Sequence, residues 1–184
     1  MSLSMETLLA SLDEDEPLDD ALPSAHQVPA MSLEGTIAAL HSAAAQPGTR
    51  AAAILAAACC WRLCVLVQRA GMDRAASSAG ALSAIADAMR AHHDSWMMLA
   101  AAMECLALTC IDEDDGDPAH PRALAHHANA LAMCIGAMLA FADAQPDLLA
   151  RGCMALGVLV GGDAGQRQRA LELGAREEWL QLSL

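Results

Sequence analysis

Apolar residues recur along this chain at helical spacing, and the arrangement repeats. Residues 80–110, GALSAIADAMRAHHDSWMMLAAAMECLALTC, read as two apolar helices joined by a short polar break. Residues 129–160, NALAMCIGAMLAFADAQPDLLARGCMALGVLV, share that layout, and so do residues 35–67. A further copy opens at Gly174 with GAREEWLQLSL. The start points Gly35, Gly80, Asn129 and Gly174 are separated by 45, 49 and 45 residues. A period of roughly 40–47 residues with two or three helices per unit marks a helical solenoid, so the fold class expected is all-α.

Taken in order, residues 35–79 form a first unit. Its helices are predicted over 36–45 and 50–68, with a break at Pro47-Gly48 and a short connecting helix over 72–79. The second unit spans 80–128. Leu82, Ile85, Ala86 and Met89 make an apolar stripe opposite Asp87 and Arg90. His92, His93 and Asp94 form its break, and Ser95 or Asp94 caps the next helix. Pro121 suits the first turn of a short helix over 122–128. The third unit, 129–173, breaks at 143–145 and resumes at Pro146; Gly161-Gly162 ends that helix, and 166–173 make a short connection. Residues 174–184 are a partial fourth unit. Each unit thus reads as a short helix and two long ones.

Residues 1–34 read as an acidic, largely disordered tail. Met5, Leu8, Leu9 and Leu12 fall at i, i+3, i+4 and i+7, which predicts one short amphipathic helix there, capped by Ser4. Two roles fit it: covering the open end of the first unit, which we favour, or docking on another protein.

Composition narrows the picture. With 55% hydrophobic residues but 2% aromatic, the core has to be built from Ala, Leu and Met. The net charge of -13 argues against nucleic acid and against anionic membrane surfaces, and favours basic or amphipathic protein partners. Eight of those charges lie in residues 1–34, so the repeats are only mildly acidic. The most apolar run, residues 51–67, falls short of the ~20 residues of a membrane span and contains Arg62. The acidic N-terminus is unlike a secretory signal, and the seven cysteines are scattered over apolar helix faces. An intracellular setting is therefore expected, cytoplasmic and compatible with the nucleus.

Candidate chemistry is sparse. Cys59, Cys60, Cys64, Cys105, Cys110 and Cys153 read as buried structural thiols rather than a zinc site, and a redox or metal-responsive role is the alternative. His92-His93 and His126-His127 are adjacent pairs whose rings diverge by about 100° on a helix, a poor geometry for one metal. The run from Asp112 to Asp117 lacks the Gly and Glu positions of a calcium loop. No nucleophile elbow, phosphate loop or dinucleotide fingerprint is present, so a non-catalytic protein without cofactor or metal is expected.

The strings RALELGAREEWL, GALSAIADAMRAHHDS, CCWRLCVLV, AMECLALTC and GCMALGVLV resemble armadillo repeats, with HEAT repeats a related option. The resemblance covers residues 35–184, and Leu63, Leu106 and Leu156 take the core Leu position of the third-helix string. It implies a right-handed superhelix whose third helices line a concave groove for a partner peptide or helix. In that family, groove Asn residues hold the partner's backbone and Trp residues four positions earlier form slots. Here the Trp positions are Trp61, Glu104 and Met154, and the Asn positions are Val65, Leu108 and Val158. The absence of all three Asn argues against carriage of an extended peptide, and an apolar floor suits an amphipathic helix. Val65, Leu108 and Val158 are equally readable as plain core residues. The expected role is a protein–protein interaction scaffold. The alternative is a subunit that docks, or self-associates, through an open C-terminal repeat face.

Overall fold

A computed structural model describes residues 31–70, 76, 79–111, 120–141 and 143–181. Among these residues the protein is all-helical and contains no strand. In chain order the helices are α1 (Leu33–Ala44), α2 (Arg50–Ala70), α3 (Ala81–Ala91), α4 (Trp96–Thr109) and α5 (Pro121–His127). They continue as α6 (Ala130–Phe141), α7 (Pro146–Val160), α8 (Ala164–Glu172) and α9 (Glu177–Gln181).

Local chemistry sets the boundaries. Ser32 caps α1 by accepting the Gly35 N–H at 3.1 Å, and Ser95 caps α4 by accepting that of Met98. Pro121 and Pro146 occupy the first turns of α5 and α7, where a missing N–H costs nothing. Asp163 takes two first-turn N–H groups of α8, at 2.7 and 3.1 Å. Gly80, Asn129 and Gly174, three of the four repeat start points, have left-handed φ values of 89°, 64° and 97°. Gly35 differs. It lies inside α1, because the Ser32 cap starts that helix at Leu33, and so Leu33 and Glu34 belong to the helical body rather than to a tail. Likewise α8 begins at Ala164, ahead of the predicted 166, because Asp163 caps it. The tail helix predicted over residues 4–12, the acidic run 112–117 and, Ala76 and Ala79 aside, the connecting helix 72–79 lie outside the described residues.

The long helices stack. α2 packs on α4, and α4 on α7; α1 lies against α2 and α3, and α6 against α7. The starts of α2 and α4 line one cleft of about 250 Å³, including Arg50, Ile54, Ser95 and Trp96, so these two helices run in the same direction. One continuous core runs from Leu33 to Leu180. α4 is buried on every side from Met98 to Met103, which explains why it carries no polar face there. Small residues allow close helix approach: a Cβ on Gly152 of α7 would lie 2.6 Å from Sδ of Met138 on α6. Residues 50–68 of α2 have the length and apolarity of a membrane span, and most of that stretch is buried within the protein.

Candidate functional site

The row α2–α4–α7 carries the candidate site. On each helix two residues four apart share a face: Trp61 with Val65, Glu104 with Leu108, and Met154 with Val158. All six keep solvent exposure, while the neighbouring Leu63, Leu106 and Leu156 are fully buried. Met154 is 56% exposed. Trp61, Leu108 and Val158 rest against the core on one side and show the other to solvent. They therefore lie at the surface edge of the core and not within it.

Arg151 joins these helices and was missed by the sequence reading. From α7 it forms an ion pair with Glu104 of α4, and its guanidinium carbon lies 5.0 Å from the centre of the Trp61 ring of α2. Residues 151, 154 and 158 fall at i, i+3 and i+7, so the spacing did hold the signal. Burial pulls the Arg151 guanidinium below its ordinary value, though it remains charged at neutral pH. The stripe across the three helices is consequently apolar with one neutralised charge pair at its middle.

At the other edge of α2, Arg62 donates from Nε and Nη2 to the Met31 carbonyl at 3.0 and 2.8 Å. This contact ties the chain just ahead of α1 to α2.

The thiols lie elsewhere. All seven cysteines are free and buried. Burial pushes Cys59, Cys110 and Cys134 up to about 12, and raises Cys60 and Cys153. A hydrogen bond with Cys105 across the α2–α4 contact, together with burial, holds Cys64 well above the usual thiol range. Reactive thiols have the opposite character, exposed and easily ionised.

The histidine pairs split. His92 is buried and its Nε2 donates to the Ala43 carbonyl at 3.1 Å, linking α3 to α1, whereas His93 faces solvent. His126 is half-buried beside Leu159, and His127 is exposed. His120 is the unpredicted one: its Nδ1 accepts the Arg122 N–H at 3.2 Å and caps α5. Among the described residues no three His, Cys, Asp or Glu side chains converge as a metal site would need.

Compared with protein-family models, curated proteins and solved structures, the chain matches none of them.

Proposed function

We propose that this protein is a non-catalytic binding scaffold, an armadillo-like solenoid of three-helix units that holds a partner helix against the open face of α2, α4 and α7. The observation that carries the reading is the placement of Trp61, Val65, Leu108, Met154 and Val158 on one exposed side of three stacked helices, around the Arg151–Glu104 pair. Apolar side chains at this spacing offer ridges and grooves that an amphipathic helix fills through its own i, i+3, i+4, i+7 anchors. The partner is a protein or peptide whose polar face is basic or neutral, in keeping with the net charge of -13. Membrane and nucleic acid are not among the partners proposed, and the setting proposed is intracellular.

The test is a binding comparison. A partner captured by the full-length protein should lose at least tenfold in affinity to a Met154→Glu, Val158→Asp variant whose helical circular dichroism is unchanged. Retained affinity would remove the groove from consideration. A second reading, docking or self-association through the α6 side, is favoured by Leu139, a large apolar side chain of α6 that is 50% exposed. Under that reading Leu139→Glu, and not the groove variant, abolishes association.

A further inference from the structure

The cleft of about 250 Å³ at the starts of α2 and α4 is a separate place from the groove. Trp61 lies about 16 Å further along α2 than Arg50, at 1.5 Å per residue. The first N–H groups of a helix have no partner within it and give that end a partial positive charge. Thr49 takes the Ala52 N–H and Ser95 that of Met98, which leaves the N–H groups of Trp96 and Met97, two residues that line the cleft. Neither α2 nor α4 has an acidic residue in its first turn. Two helix ends of this kind open on one hollow.

His92 is an independent sign of a ligand. It lines the same cleft, is fully buried, and holds the Ala43 carbonyl through Nε2. Its other nitrogen, Nδ1, is buried too, and among the described residues nothing bonds it. With the proton on Nε2, the ring presents a lone pair at Nδ1, and a buried acceptor without a donor is costly.

We propose that this cleft binds a small carboxylic acid with an apolar body, as a free molecule or as the last residue of a peptide. A carboxyl group meets both needs at once. One oxygen accepts the N–H groups at the helix starts, and the other shares with Nδ1 a proton taken from solvent as the acid binds. Ala53, Ile54 and the Trp96 ring supply an apolar wall for the rest of the ligand. The volume has room for roughly eight groups of water size, at ~30 Å³ each, which limits the ligand to a small acid. Arg50 and Asp94 contribute one charge of each sign to the lining, so a single negative charge suits the site better than a dianion such as phosphate.

The experiment titrates isovalerate into nitrogen-15-labelled full-length protein, beside isovaleramide, acetyl-alanyl-leucine and the amide of that dipeptide. Isovalerate should give saturable shifts of the Trp96 and Met97 amide signals and move the His92 Nδ1 signal. Isovaleramide, of the same shape without the charge, should bind roughly tenfold more weakly. Two variants pull in opposite directions. Ser95→Asp keeps a good cap for α4 but sets a carboxylate at the cleft, so affinity for isovalerate should fall roughly tenfold at unchanged circular dichroism. Asp94→Asn removes an exposed carboxylate from the lining, and affinity should rise about twofold. Tighter binding of acetyl-alanyl-leucine than of isovalerate, lost in its amide, assigns the site to a chain end; the reverse order assigns it to a free acid. The absence of saturable shifts, equal binding of isovaleramide, a His92 Nδ1 signal that stays put, or an affinity unmoved by Ser95→Asp would each overturn the proposal and leave the cleft to water. None of these results bears on groove binding, which the Met154 and Val158 variant reads separately.

Discussion

Arg151 shows how much one side chain adds to a face built from apolar ones. It carries the only described contact that reaches from α7 to both α4 and α2, through Glu104 and Trp61. Its partners are partly shielded, so a double-mutant cycle between Arg151→Met and Glu104→Gln should give a coupling of about 1 kcal/mol. Additivity would show that the pair is screened out. His126 supplies the pH prediction. Burial, then Arg169 and Arg122, depress it below the ordinary 6.5, against the raising effect of the Leu159 carbonyl and Asp163. The unfolded chain thus binds the proton more readily than the folded one. The stability His126 contributes is present above 6.5 and is lost as pH falls through its folded value. Acidifying from neutral should lower the thermal midpoint more in the native protein than in His126→Gln. An identical drop in both would remove His126 as the cause.

Helix pairing is decided by small residues and by a few long-range polar links. Gly152 lets α7 approach α6 so closely that a Val there must displace Met138, and Gly152→Val should cost about 1–3 kcal/mol in denaturant unfolding. A neutral result would show that Met138 swings aside freely. The His92 bond to Ala43 joins α3 to α1 inside the core. His92→Ala should cost about 1–3 kcal/mol in the same measurement, because it removes a buried hydrogen bond and leaves a cavity, although the Ala43 carbonyl keeps the Gln46 N–H. These links explain why a polar His-His-Asp break, readable in the chain only as a turn, is also a fastening between neighbouring hairpins. Gly161 ends α7 because it takes the left-handed φ of 52°, which a residue with a Cβ rarely adopts.

At the scale of the molecule, the core is Ala, Leu, Met and Cys in one run from α1 to α9. A core of small side chains leaves the thiols no route to solvent short of opening the stack. Native protein should therefore react with a thiol reagent at the rate of global or sub-global opening, with all seven cysteines released together in denaturant. Rapid labelling of Cys60 or Cys64 in the native state would restore the redox alternative. The same logic leaves a partner the surfaces of the stack, which is where the proposed groove face and the α6 side lie.

Helix positions were legible in the chain because they depend on local chemistry. Proline at a first turn, a Ser or Asp cap and a left-handed Gly or Asn act within a few residues of themselves, so most boundaries of α2 to α7 were readable from neighbours alone. The apolar stripe of α3 was readable for the same reason, since a 3.6-residue period needs no partner to be seen. Whether Val65, Leu108 and Val158 were core or surface was not readable, because on a helix apolar nearly all round the open side is set by which neighbours arrive. Only the stacking of α2, α4 and α7 decided that, and with it brought Arg151 to Trp61 across ninety residues of sequence. Local periodicity determined the elements; the order in which helices lie against one another determined which residues remain for a partner to touch.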